Sequence, residues 1–261
     1  MNSLLAVPEA LLWAYSAFIG AAVGSFLNVC VYRLPEGESV VSPRSRCPGC
    51  GQQIGWRDNV PVLSWLLLRG RCRGCGTGIS VQYPLVELTT ALFWLAAALR
   101  FGASWQALST ALFFTLLLGI ALTDARTYTI PDEFTLGGLL AGILLSFAPG
   151  GISPLQSVLG AALGFGLLYG VAVAGEWVFK KPAMGGGDIK MMAMVGAFLG
   201  PVGVLLTLFL GALLGTLIFA PISMKTGKLV PFGIFLALGA AVTEPWGERM
   251  ADWYLSTFLG R

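Results

Sequence analysis

Long apolar runs, separated by short polar or turn-forming breaks, occupy most of this chain. The first covers about 8–32, and seven more follow at about 84–99, 105–123, 134–148, 155–179, 189–199, 202–223 and 232–242. Most breaks carry Pro, Gly or charge, as in Pro149-Gly150-Gly151, Lys180-Lys181-Pro182, Gly200-Pro201 and the stretch from Lys225 to Lys228. Such runs predict membrane helices, since about 20 apolar residues cross the roughly 30 Å hydrocarbon core. The run at 189–199 is the shortest and reads as a partial or tilted helix extending back into Gly185-Gly186-Gly187-Asp188. Segment 33–83 breaks the pattern. It holds 10 of the 29 charged residues, seven of them Arg, together with four Cys and the turn formers Pro35, Pro43, Gly49 and Gly51. The expected fold is an all-α polytopic membrane protein of about eight transmembrane helices, with a small polar domain inserted after the first.

Composition sharpens this. Hydrophobic residues make up 56% and charged residues 11%, against about 25% charged in soluble domains. Mean hydropathy is +0.79, and the 35 glycines suit helices that approach closely. A disordered chain is excluded, and the composition argues against a soluble globule. No Lys or Arg precedes the first run, so it lacks the basic region of a cleaved signal and reads as a retained helix. With eight crossings and the polar segment inside, only Arg100, Arg249 and Arg261 of the 16 basic residues fall outside. The positive-inside rule then sets both termini outside and segment 33–83 in the cytoplasm. The net charge of +3 is thus a topology signal. The basic stretch has no regularly interleaved aromatics, which argues against a nucleic-acid partner. The chain has no histidine, so a Ser-His-Asp triad, a Cys-His pair and a His-ligated metal are all excluded.

Four cysteines fall in two like frames, Cys47-Pro48-Gly49-Cys50-Gly51 and Cys72-Arg73-Gly74-Cys75-Gly76. Two C-x-x-C pairs supply four thiolates to one tetrahedral metal, and structural disulfides are rare on the reducing cytoplasmic side. A closed, structural zinc site is the leading reading of Cys47, Cys50, Cys72 and Cys75. A thiol redox pair and an iron–sulfur centre are its rivals. Cys30, inside the first apolar run, reads as a small buried hydrophobe.

Acids inside or at the ends of apolar runs are costly and point to function. Asp124 closes one run and Asp188 opens another after Gly185-Gly186-Gly187; by the charge-derived topology both lie at the cytoplasmic face. Two carboxylates that meet there share a proton, one serving as base toward water and the other as acid toward a carbonyl or leaving amine. The bland alternatives are a surface ion pair of Asp124 with Arg126 and helix N-capping by Asp188. Asp132, after Pro131, reads first as the N-cap of the run starting at Phe134. Lys190, two residues from Asp188 and so not on its helix face, is a supporting candidate or an interfacial snorkelling side chain. Glu87 lies about one turn into a run and is expected to face the protein interior or the polar domain.

Taken together these motifs resemble the bacterial type IV prepilin peptidases, or leader peptidase/N-methyltransferases, over almost the whole chain. Gly24-Ser25-Phe26-Leu27-Asn28-Val29 and Tyr32-Arg33-Leu34-Pro35 resemble the family's first-helix signature. The cysteine pairs, Asn59-Val60-Pro61 and Tyr83-Pro84-Leu85-Val86-Glu87 are similar to its cytoplasmic domain. Asp124 with Ile130-Pro131-Asp132, and Gly185-Gly186-Gly187-Asp188-Ile189-Lys190, resemble its two aspartate motifs, and Pro231-Phe232-Gly233 its last-helix motif. The resemblance implies a G-x-G-D membrane aspartic protease of the bacterial inner membrane. It would remove basic leaders from prepilins and pseudopilins at the cytoplasmic face, with Asp124 and Asp188 catalytic. It also implies N-methylation with S-adenosylmethionine, associated with Gly70. Three segments are expected: a first helix at 1–32, a cytoplasmic four-cysteine zinc domain at 33–83, and the peptidase core at 84–261. A membrane thiol oxidoreductase and a proton-coupled transporter are the competing readings. The C-x-x-C pairs suggest the first, and the second would want its acids at broken helices near the bilayer midplane.

Overall fold

The computed structural model describes residues 8–181, 184–226 and 231–258; Pro182, Lys228 and Arg261, used above as break and charge signals, lie outside these. The chain is helical: α1 (Glu9–Arg33), α2 (Leu63–Leu67), α3 (Gln82–Phe101), α4 (Trp105–Thr127), α5 (Asp132–Leu145), α6 (Pro154–Phe179), α7 (Gly186–Thr226) and α8 (Phe232–Phe258). Among the described residues β pairing is confined to two isolated antiparallel bridges, Arg46 with Gln53 and Arg71 with Gly78. Contacts divide the chain into two units, Met1–Thr115 and Leu116–Arg261, with α4 passing from one to the other.

In the first unit α1 packs on α3. Gly20 and Gly24 let the backbones meet: a Cβ at either would lie 2.7 or 2.8 Å from Trp94 Cβ or Glu87 Cα. Asn28, buried in α1, donates to the Tyr83 carbonyl at 3.1 Å, and Tyr32 stacks on Tyr83 at 5.6 Å. The segment between α1 and α3 holds the four cysteines and the short helix α2.

In the second unit α7 is interrupted at Gly200, with φ 69° and ψ −175°, a conformation that essentially only glycine adopts. The interruption reverses the chain. Gly187 at the start of α7 and Gly233 at the start of α8 both abut Ile130. Gly215, late in α7, abuts Phe235 of α8, and Gly211 meets Gly239 one turn further along α8. The start of α7 and its later Gly215 therefore both lie near the start of α8. Counting its limbs 186–199 and 201–226 separately, eight long helical segments correspond one for one to the eight apolar runs. Among the described residues five stretches are long and apolar enough to cross a membrane: Glu9–Glu36, Gln82–Phe101, Trp105–Thr127, Pro154–Phe179 and Gly186–Ile218, the last being the folded-back pair.

The first limb of α7, the shortest run in the sequence, is the most enclosed element: Met191, Met192, Met194, Val195 and Ala197 are fully buried. It begins at Gly186 and so does extend back through Asp188. Glycines four residues apart admit its neighbours. Gly138 and Gly142 of α5 face Met194 and Phe198, while Gly160 and Gly164 of α6 face the Gly196 and Met192 carbonyls. Ser157 adds a hydrogen bond to the Ala197 carbonyl at 2.7 Å. Helix α8 runs well past residue 242. Its second half carries Glu244, Pro245, Glu248, Arg249 and Asp252, and those charges end the apolar run without ending the helix.

Candidate active site and metal centre

Asp124 sits in the last turn of α4 and is only 5% exposed. The Ile234 N–H donates to its Oδ2 at 3.1 Å. Ile234 is in the first turn of α8, where N–H groups have no partner inside the helix and the dipole favours an anion. Gly233 makes this approach possible: a Cβ there would lie 2.7 Å from Asp124 Oδ2 and 2.8 Å from Ile130 Cδ1. Asp188 is in the first turn of α7, partly exposed, and within electrostatic reach of Asp124. A Cβ on its neighbour Gly187 would lie 2.9 Å from Ile130 Cβ. Ile130 is thus wedged between two helix starts, one carrying Asp188 and the other holding Asp124.

Two capping readings change here. Asp132 is not the N-cap of α5. Pro131 occupies that place without a side-chain cap, and Asp132 lies inside the first turn. Its carboxylate accepts two hydrogen bonds from Lys190 Nζ, at 2.6 and 2.8 Å. Lys190 is thus held by a carboxylate within reach, with both side chains partly open to solvent. Asp188 does not cap α7 either, since the helix already begins two residues earlier at Gly186. The parts played by Ile130 and Ile234 escape sequence reasoning. An isoleucine carries no reactive group, and the Ile234 donor is backbone. The available signal was Gly233, placed at the start of a helix where a side chain would ordinarily be preferred.

In the first unit the Sγ atoms of Cys47, Cys50, Cys72 and Cys75 all lie within 4.8 Å of one another, and Cys47 and Cys75 are 3.7 Å apart. A tetrahedral ion with bonds of about 2.3 Å sets its sulfurs about 3.8 Å apart, so the donor set fits a metal. The two frames fold alike. The amides of Cys47 and Gly51 donate to Gln52 and Cys47 carbonyls, and those of Cys72 and Gly76 to Thr77 and Cys72 carbonyls. Each loop also presses a glycine on the residue following the other: Gly49 on Thr77, Gly74 on Gln52. The result is a local pseudo-twofold. The sulfurs compete for charge. The Thr77 hydroxyl and amide draw the Cys75 thiol down to about 6. The Gln52 amide pulls Cys50 down too, but the Cys75 sulfur, burial and the other sulfurs outweigh it and hold Cys50 up at about 11. Four thiolates at this spacing need a cation among them. Arg73 fixes the second loop from outside. It donates to both oxygens of Asp58, at 2.7 to 3.1 Å, and holds that carboxyl below its ordinary range.

Glu87 is buried and faces the polar segment, accepting from the Val62 N–H at 2.7 Å. Val62 is held at φ 60° by a tight turn in which the Leu63 N–H meets the Pro61 carbonyl at 2.6 Å. A β-branched residue in that region is strained, and the carboxylate secures it. Gly70, at φ 67°, has its Cβ direction filled by Trp65, whose ring would be 2.9 Å away. Trp65 is itself anchored through Nε1 on the Ile79 carbonyl at 3.0 Å.

Comparison with known proteins covers both halves. Residues 18–101 match the bacterial peptidase A24 N-terminal domain, and residues 111–220 match the type IV leader peptidase family. A prepilin leader peptidase/N-methyltransferase of Myxococcus xanthus is 42% identical over 234 residues, spanning 90% of this chain and 66% of that protein. One from Aeromonas hydrophila is 35% identical over 290 residues, 99% of this chain and 100% of its own. One from Pseudomonas putida is 35% identical over 95% of both chains. No solved structure matches.

Proposed function

Since this chain belongs to the type IV leader peptidase family, we propose that it removes the basic leader from prepilins and pseudopilins with Asp124 and Asp188 as the catalytic pair. The observation that supports this reading best is the meeting of two helix starts on Ile130, one carrying Asp188 and the other holding the buried Asp124 through the Ile234 N–H. One carboxylate takes a proton from water as the water oxygen attacks the scissile carbonyl carbon. The other gives its proton to the carbonyl oxygen. The resulting gem-diol then collapses, the C–N bond breaks, and the leaving nitrogen receives a proton from the pair. Asp124 Oδ2 is occupied by the Ile234 N–H, which leaves Oδ1 for the water.

The enzyme lies in the bacterial inner membrane with both termini outside. The working face is cytoplasmic, where a basic leader remains while the apolar pilin helix enters the bilayer. Residues 1–32 form the first membrane helix, 33–83 a zinc-bearing cytoplasmic domain, and 84–261 the peptidase core. The second activity is methylation of the new N-terminus. When bound, S-adenosylmethionine would supply an electrophilic methyl group to the amine nitrogen. Gly70 supports this activity by admitting the Trp65 ring, which is anchored on the Ile79 carbonyl. The closing test incubates purified protein with a prepilin and reads the product by mass spectrometry. Loss of the leader together with an added methyl is expected; an intact prepilin would overturn the peptidase reading.

The metal is zinc, one per chain, structural, on Cys47, Cys50, Cys72 and Cys75. Replacing any one cysteine by serine is expected to release it and to loosen segment 33–83, as elemental analysis and limited proteolysis would show. Cleavage should fall only indirectly, because the aspartates belong to the other unit. Full zinc content in all four variants would refute the ligand set.

A further inference from the structure

One stretch of the polar segment is apolar. From Val60 to Leu68 it carries no charge, and α2 is its centre. The leucines of α2 do not all pack inward: Leu63, Leu66 and Leu67 are 58%, 56% and 83% exposed. Depth along the neighbouring helices says what they meet. The Val62 N–H reaches Glu87 at 2.7 Å. Glu87 lies five residues past Gln82, the first residue of α3, which is about 7 Å along that helix. Glu87 also abuts Gly24 of α1, nine positions before Arg33 and so about 13 Å short of that helix end. Both helices are long and apolar enough to cross a membrane. The start of α2 therefore lies below the polar ends of two membrane helices, at a depth where Leu85 and Leu88 of α3 are exposed too.

We infer that the turn at 60–68 inserts into the lipid interface and anchors segment 33–83 to the membrane surface; its partner is the acyl region of phospholipids that carry anionic headgroups. The inference rests on α1 and α3 crossing the bilayer, and not on either proposed reaction. A helix lying in the interface sinks about 5–10 Å past the headgroup boundary, and Glu87 meets Val62 at such a depth. Backbone in lipid must satisfy its own polar groups, and this turn does so. The amides of Leu63, Ser64, Leu66 and Leu68 donate to carbonyls of the same turn, and the Val60 amide donates to the Ser64 hydroxyl at 2.9 Å. The Val62 amide goes to the buried Glu87 carboxylate. In a turn facing water that acid would be unnecessary, because water would take the amide. Charge flanks the stretch on both sides, with Arg57 before it and Arg69 and Arg71 after, all exposed. Long basic side chains reach from an apolar level up to the headgroups, and anionic lipids attract them. Trp56, 76% exposed beside Arg57, supplies the amphipathic ring favoured at that level. A second copy of the chain would cover the leucines equally well, but it would not account for their depth.

The test locates the leucines directly. The variants Leu63→benzoylphenylalanine and Leu67→benzoylphenylalanine place a photoreactive ketone at each position of the full chain, held in nanodiscs of phosphatidylethanolamine and phosphatidylglycerol. Glu38→benzoylphenylalanine is the comparison, since the Glu38 N–H bonds the Arg33 carbonyl at the end of α1 and so marks the polar level. After irradiation, mass spectrometry of the peptides should show acyl-chain adducts at the two leucine positions and none at the third. Leu67→Asp gives a second reading that needs no probe. A charge placed in lipid is costly, so the melting temperature in the same nanodiscs should fall by about 4 °C or more. A leucine that faces water accepts the change with little shift. Absence of lipid adducts at both leucine positions, or a crosslinked dimer in their place, would overturn the inference, as would an unshifted melting temperature.

Discussion

Asp124→Asn and Asp188→Asn are each expected to abolish leader removal while the protein remains folded. Loss of general acid–base help alone costs about 100- to 10,000-fold. Positioning of the water is lost with it, so the fall should reach the upper end of that range. Folding is spared for a specific reason. In Asp124→Asn the new amide oxygen can still accept the Ile234 N–H, so the start of α8 keeps its partner. Asp132→Asn provides the contrast. It weakens a pair with Lys190 in which the two side chains are 53% and 37% exposed, and such surface pairs are worth about 0–1 kcal/mol. Cleavage by that variant should stay within a few-fold of wild type. The three proteins are compared in one prepilin assay, with melting temperatures alongside. A dead Asp132→Asn beside an active Asp124→Asn would reassign the pair.

Gly233→Ala is expected to cost nearly as much without touching an acid. The new methyl would press on Asp124 Oδ2 at 2.7 Å and on Ile130 Cδ1 at 2.8 Å. To fit it, either the carboxylate leaves the Ile234 N–H or α8 moves off α4. Overpacking of this kind typically destabilises by about 1–3 kcal/mol, while cleavage should drop by about 100-fold or more, as when an acid–base group is misplaced. The double variant Gly233→Ala/Ile130→Val separates the two effects. Trimming Ile130 relieves one of the two contacts, so the melting temperature should recover further than the rate. A Gly233→Ala enzyme with wild-type turnover would show that Asp124 does not depend on the start of α8.

Much of this architecture is legible in the sequence because the bilayer leaves few options: the apolar runs lie in helices, although among the described residues five stretches, and not eight, are long and apolar enough to cross a membrane. The cysteine frame is legible because metal geometry demands that spacing, and its sulfurs do lie together. What sequence conceals is partnership. Nothing in Ile-Pro-Asp says that its acid answers a lysine fifty-eight positions away, so capping chemistry was the natural expectation for Asp132. Gly200-Pro201 announces a break but not a reversal; that follows only from which glycines meet which neighbours. The length of α8 is hidden because charge and proline mark the end of an apolar run, whereas the helix continues past both, Pro245 giving up only its own donor.

The enclosure of the first limb of α7 has a consequence for how the enzyme tolerates its surroundings. A membrane that thickens or thins with lipid composition or temperature acts on helices that touch lipid, which respond by tilting or by drawing lipid around themselves. The limb that begins with Asp188 has almost no surface on which such a force can act, because methionines, glycines and the flanking α5 and α6 surround it. Mismatch is absorbed by the outer helices, whose exposed leucines and valines slide against acyl chains at little cost. On the proposed reading, the position of Asp188 is thereby insulated from the state of the bilayer, and leader removal should vary little with acyl-chain length.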